Sequence, residues 1–129
     1  MRVTMLRAKI HRATITHADL HYVGSLTVDR DLLEATGILV GERVSVVNID
    51  NGERFETYVI EGEPGSGVIG ANGAAARLVS VGDRVIIMAY ASVKLAKASA
   101  LTPAVIMVDD GNKIEHTGSD PAFPKVYPR

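Results

Sequence analysis

The side chains with the best claim to chemistry begin with His21-Tyr22-Val23-Gly24-Ser25, where a hydroxyl directly follows a glycine carbonyl at the end of a strand-like run. A Gly-Ser bond is ordinarily a plain turn, since glycine supplies permissive φ/ψ and serine bonds its own backbone. The dipeptide recurs at Gly24-Ser25, Gly65-Ser66 and Gly118-Ser119, so its presence alone decides nothing. Its company singles out the first as a candidate for backbone self-cleavage. Lys9 and His11 lie two apart on a predicted strand and share a face, as do Arg54 and Tyr58, four apart on a later one. With Asn72, these groups suit a small anionic ligand: Arg54 gripping a carboxylate through paired hydrogen bonds, Lys9 acting as a point charge. The ordinary alternative is a polar barrel rim.

Other chemistries fit less well. No Gly-x-Ser-x-Gly elbow is present, and Ser66-Gly67 lacks its strand-turn-helix frame, which excludes an α/β-hydrolase. No histidine or acid is spaced to suggest a triad around Ser25. His17 and His21, four apart, would align as metal ligands on a helix, but their segment reads as turn and strand and no third ligand has motif spacing; no metal is expected. The glycines at 65, 67, 70 and 73 lack the spacing of a phosphate-binding loop.

Bulk properties bound the answer. The 129 residues suit one compact domain, 47% hydrophobic and 22% charged. Fourteen basic against fifteen acidic residues give a formal charge of −1, with no basic stripe to suggest nucleic acid. The absence of cysteine removes thiol catalysis, disulfides and thiolate zinc sites. No segment approaches the ~20 apolar residues of a membrane span and the N-terminus has no apolar run, so a soluble cytoplasmic protein is expected.

The elements that must position these residues read mainly as strands. Residues 2–17 form one long strand of imperfect alternation, as a curved barrel requires, followed by a turn at 17–20 and a strand over 21–28 carrying Gly24-Ser25. Asp29 caps a short helix through Leu32, Leu33 and Ala35, closed by Gly37. A strand over 43–49 turns at Asp50-Asn51-Gly52 into a return strand over 53–61. There Arg54, Glu56 and Tyr58 face one way, Phe55, Thr57 and Val59 the other. A loop at 64–67, a short strand at 68–69 and a short helix from Asn72 follow. Residues 85–90 read as a buried strand, 104–109 as another, and 117–129 as an irregular tail behind a domain of residues 1–116.

A shift of 41 residues lays Gly24-Ser25 over Gly65-Ser66 and Val40-Gly41-Glu42-Arg43-Val44 over Val81-Gly82-Asp83-Arg84-Val85. Two such halves are too few for a solenoid; they suit one small closed barrel, which removes its sheet edges.

The separated segments Lys9–Arg12, His17–Ser25, Asn51-Gly52, Arg54, Thr57-Tyr58 and Asn72–Ala76 together resemble the pyruvoyl-dependent aspartate 1-decarboxylases. The likeness covers residues 1–91 and then fades, apart from Asp120-Pro121-Ala122-Phe123; Arg77 and Pro64 depart from residues frequent in that family. It implies a double-psi β-barrel with short helices. It further implies that the Ser25 hydroxyl attacks the Gly24 carbonyl, with Thr57 bonding that carbonyl. The ester then eliminates to dehydroalanine, and hydrolysis leaves chains 1–24 and 25–129, the second headed by a covalent pyruvoyl cofactor. That group would form a Schiff base with L-aspartate, Tyr58 would protonate the carbanion, and β-alanine for pantothenate synthesis would leave. Lys9, Arg54, Thr57, Asn72 and the backbone of Gly73, Ala74 and Ala75 would bind substrate, with His11, His21 and Tyr22 behind them. A homotetramer with sites between neighbouring subunits is implied, and an accessory maturation factor is left open. A competing reading is an unprocessed, non-catalytic binding or assembly module, which would run as one band on a denaturing gel.

Overall fold

In the first strand, β1 (Arg2–Thr14), Ala8 and Ile10 are fully buried, and so are Ala13 and, just past the strand, Ile15. The parity of the buried positions therefore switches between Ile10 and Ala13. The ladder explains it: the register with the neighbouring strand slips there, and Arg12 takes φ 64, a β-bulge that lets both halves of a bent strand face one core. The imperfect alternation is thus the signature of curvature. The computed structural model describes residues 1–122; Phe123, Pro124 and Pro128, which bear on the predicted tail, lie outside the described residues.

The chain continues through β2 (His17–Asp19), β3 (Ser25–Asp29), α1 (Arg30–Thr36), β4 (Arg43–Asn48), β5 (Arg54–Gly62), β6 (Ile69–Asn72) and a 3₁₀ helix (Gly73–Leu78). Then come β7 (Arg84–Lys94), α2 (Leu95–Ala98), β8 (Ala104–Val108) and β9 (Ile114–Gly118). The strand order is β2-β6-β3-β5-β4-β7-β1-β8-β9. Because β1 runs on into β2 across only Ile15 and Thr16, its two ends join both sides of the run β6-β3-β5-β4-β7, and the sheet closes on itself. The barrel is filled by Ile10, Leu26, Val28, Val46, Val59, Ile69, Val85 and Ile87, all fully buried.

The sequence echo is a structural repeat. Its related strands pair antiparallel, β3 with β6 and β4 with β7. The two Val-Gly-acid turns are built alike: Leu39 N–H donates to Glu42 Oε1 (3.0 Å), and Ser80 N–H to Asp83 Oδ2 (2.9 Å). Gly41 N–H and Glu42 O bracket Val59, while Gly82 N–H and Asp83 O bracket Ile15. Hence β1–β2 does for the second half what β5 does for the first, and neither half is complete without a strand lying outside it.

Several boundaries differ from expectation. Residues 17–19 are a strand, parallel to β6, and the turn falls instead at 20–24, where Asp19 Oδ1 accepts from His21 N–H (3.0 Å). The strand predicted over 21–28 therefore starts only at Ser25; Tyr22 and Val23 have strand-forming side chains but are exposed, with no neighbouring strand to pair. The buried strand predicted over 85–90 is the longer, half-buried β7. The tail predicted from Thr117 begins later, since Thr117 and Gly118 pair with Ile106 and Val105. Helix α1 is as predicted, with Asp29 accepting from Asp31 N–H (2.8 Å) and Gly37 closing it at φ 74. Among the described residues no helix is long and apolar enough to cross a membrane.

Candidate functional site

Strand β3 lies between a parallel neighbour, β5, and an antiparallel one, β6, and this pairing builds the surroundings of Ser25. Leu26 and Val28 point into the core, so Ser25 and Thr27 face outward. Ser25 pairs with Asn72, whose Nδ2 donates to Ser25 Oγ (3.0 Å) and to Thr27 Oγ1 (2.9 Å). Ser25 Oγ in turn donates to Val23 O (2.9 Å). Ser25 is nonetheless fully buried, for the turn over 20–24 and Asn72 cover it.

The parallel register matches Leu26 with Val59. Continued toward the N-terminus, it sets Ser25 level with Tyr58 and Gly24 level with Thr57. Tyr58 is on the outer face with Ser25, opposite buried Val59, and is 38% exposed. Thr57 sits on the core side with Phe55, and no hydrogen bond joins it to the Gly24 carbonyl. Just beyond Asn72, Gly73 opens the 3₁₀ helix at φ 68, followed by exposed Ala74 and half-buried Ala75. His21 and Tyr22 are exposed in the turn, and His17 Nδ1 is engaged by Thr16 Oγ1 (2.7 Å).

The remaining predicted residues are elsewhere on the barrel's outer face. A cross-strand row runs Lys9–Met88–Ser45–Glu56 through β1, β7, β4 and β5. At the ordinary strand spacing this puts the Lys9 backbone about 14 Å from Glu56. Arg54 and Tyr58 flank Glu56 on the exposed face, four residues or about 13 Å apart. Arg54, Glu56, Ser45, Met88 and Tyr90 line an open groove of ≈ 430 Å³. Lys9 Nζ donates to Pro121 O (3.3 Å), and burial lowers its pKa. His11 is only 6% exposed, and neither ring nitrogen has a hydrogen-bond partner. Burial, aided by the positive charges of Lys9 and Arg12, pushes its pKa down to about 4, so the imidazole is neutral.

One chain therefore assembles Gly24, Ser25, Thr27, Tyr58, Asn72 and Gly73, and holds Lys9, His11 and Arg54 apart from them. Sequence reasoning missed Thr27, the second acceptor of the Asn72 amide; its position two residues after Ser25 on one strand was the available signal.

A family model described as aspartate decarboxylase matches residues 1–115. The chain is 60% identical over 114 residues to the aspartate 1-decarboxylase of Caldicellulosiruptor saccharolyticus, a match covering 88% of this chain and 89% of that one. Among solved structures, the rationally designed protein mkDPBB_sym_86 matches with a TM-score of 0.45 and 22% identity, over 61% of this chain and 91% of its own. The related design mkDPBB_sym1 gives 0.44 and 23%, over 67% and 96%.

Proposed function

The chain belongs to the aspartate decarboxylase family, and from that premise we propose how it converts L-aspartate to β-alanine and carbon dioxide with a pyruvoyl group made from its own Ser25. Maturation begins when Ser25 Oγ attacks the Gly24 carbonyl carbon. The Oγ–C bond forms, the C–N bond breaks, and the hydroxyl proton passes to the freed Ser25 nitrogen. Loss of the Ser25 α-proton expels Gly24 as a carboxylate. Hydrolysis with release of ammonia then leaves a pyruvoyl group heading residues 25–129, beside a separate chain of residues 1–24. The observation that carries this reading is the fully buried Ser25 hydroxyl, held between the Asn72 amide and the Val23 carbonyl and next to the bond to be cut.

The donor set suits a carbonyl at position 25, because the Asn72 amide sets an N–H donor beside that residue; the oxygen it meets now, Ser25 Oγ, leaves with Gly24. Once formed, the group supplies a carbonyl that takes up the substrate amine and accepts the electron pair left by departing carbon dioxide. The rest falls to this chain's own residues. Tyr58, level with position 25 on the same outer face, holds the proton delivered to the decarboxylated carbon. Thr57, level with Gly24, is the proposed donor to the carbonyl oxygen during the acyl shift. Arg54 and Lys9 bind substrate carboxylates, and the N–H groups of Gly73, Ala74 and Ala75 supply further donors. Neutral His11 adds no charge to a region already cationic.

A second copy of the chain completes the site in this reading. Lys9 and Tyr58 lie on strands about 14 Å apart, and the outer face between them is an open groove with room for a neighbouring chain. A neighbouring subunit placed over that face brings the missing cation to each Ser25, and a homotetramer is the proposed assembly. A cytoplasmic location and a place in pantothenate synthesis follow from the family's reaction. The test is direct: purified protein given L-aspartate should release carbon dioxide and β-alanine in equal amounts. Ser25→Ala should do neither and run as one chain. Turnover by Ser25→Ala, or cutting of that variant near residue 24, would contradict the reading.

A further inference from the structure

Two glycines meet at the scissile bond, and their surroundings differ. A Cβ on Gly24 would have no heavy atom within 4 Å, and Gly24 is not among the positive-φ residues. Gly73 is the reverse. It sits at φ 68, and a Cβ there would lie 2.7 Å from Gly24 Cα, 3.0 Å from Gly24 N and 3.3 Å from Tyr22 O. All three are backbone atoms of the turn leading to the bond, so no side chain can rotate away. Any side chain at 73 must displace Gly24, or the strand end that holds Asn72 against Ser25, or both.

We propose that Gly73 is a positioning residue for self-cleavage: its bare Cα is the surface against which the Gly24 backbone rests. Through that contact it fixes the Gly24 carbonyl carbon relative to Ser25 Oγ. The proposal rests on the self-cleavage reading above and adds a steric requirement distinct from any hydrogen bond that Gly73 gives a substrate. The step concerned is the acyl shift, in which the Gly24 carbonyl carbon exchanges its bond to Ser25 N for one to Ser25 Oγ while the hydroxyl proton moves to nitrogen. A misplacement of ~1 Å between reacting atoms costs about 10²-fold in rate. A Cβ forced to 2.7 Å from Gly24 Cα demands a displacement of that order.

The experiment compares the parent with Gly73→Ala and Gly73→Asn, each purified as fresh precursor and followed by denaturing gel. Circular dichroism and thermal melting confirm the fold. Asparagine tolerates positive φ better than alanine, so it separates the backbone requirement from the contact. Both variants are expected to cut about 10²-fold more slowly than the parent. Hydroxylamine, which cleaves the ester formed by the acyl shift, should release residues 1–24 from the parent precursor and not from the variants, a difference that lower stability alone does not produce. The proposal is overturned if either variant cuts at the parent rate; normal cutting by Gly73→Asn alone would reduce the requirement to φ. A parent chain that is uncut in a preparation that decarboxylates aspartate overturns the self-cleavage reading itself, and this proposal with it.

Discussion

Ser25 and His11 are both buried, yet their polar atoms are treated oppositely. The Ser25 hydroxyl has a donor and an acceptor, whereas the His11 ring nitrogens have neither. The histidine therefore stays neutral, and this has a sign that can be checked. Its folded pKa of about 4 lies below the ordinary 6.5, so unfolding takes up a proton between those values. Its contribution to stability is whole above pH 6.5 and lost as pH falls toward 4, with a slope of at most about 1.4 kcal/mol per pH unit. His11→Gln in the uncut Ser25→Ala chain should flatten that part of the profile; urea midpoints at several pH values give the comparison. Arg54 and Tyr58 are predicted to act at different steps. Arg54→Ala should raise KM for aspartate, a charged hydrogen bond being worth roughly 1.5–3 kcal/mol. Tyr58→Phe should still mature and bind but lose ~10²–10⁴-fold in kcat, as loss of a general acid does. Steady-state kinetics on the two variants separates them, and a parental kcat for Tyr58→Phe would reassign the proton. The shared outer face of Arg54 and Tyr58 was legible in the sequence because strand parity carries it, whereas Ser25 and Asn72 were singled out through the family resemblance of their segments. The crowding of Gly73 onto Gly24 was not legible, since it joins the turn before β3 to the start of the 3₁₀ helix, far apart in the chain.

At the scale of elements, Asp29 does more than cap α1. Its carboxylate accepts from Asp31 N–H (2.8 Å) and also from Gly65 N–H (3.1 Å) and Gly67 N–H (2.8 Å), tying the loop before β6 to the end of β3. Asp29→Ala should cost about 3 kcal/mol, roughly 1 for the cap and more for the stranded loop donors, read from a urea titration. A loss below about 1 kcal/mol would leave only the cap. In the same loop the echoed Gly65-Ser66 bond is predicted to stay intact. Ser66 is exposed in a turn with its hydroxyl on Glu63 O (2.6 Å), and nothing encloses it as Asn72 and the 20–24 turn enclose Ser25. Helix α1, the Asn-Gly turn and the paired Val-Gly-acid turns were readable because capping and turn chemistry are local. Strand β2 and the start of β3 were misplaced for the opposite reason. Whether His21–Val23 pairs or stays exposed depends on β6, some fifty residues away, and no local propensity encodes that. Helix α2 and strand β9 went unread for want of comparably strong local signals.

Over the whole molecule, the closure of the barrel was foreshadowed by the repeat, while the exchange of β1–β2 into the second half was visible only once the ladders were known. The separation of Lys9 and Arg54 from Ser25 is a property of that scale too. If neighbouring copies share sites, Lys9→Ala and Tyr58→Phe chains, denatured together and reassembled, should regain activity above either alone, because mixed assemblies contain sites built from both intact residues. No gain on mixing would put each site within one chain. The proposed activity depends on one covalent event at Gly24-Ser25, and an intact mass of the purified protein tests it most directly. The predicted result is two species: residues 1–24 ending in a free Gly24 carboxylate, and residues 25–129 lighter than the serine-headed sequence by one ammonia. A single mass equal to the uncut chain, in a preparation that decarboxylates aspartate, would contradict it.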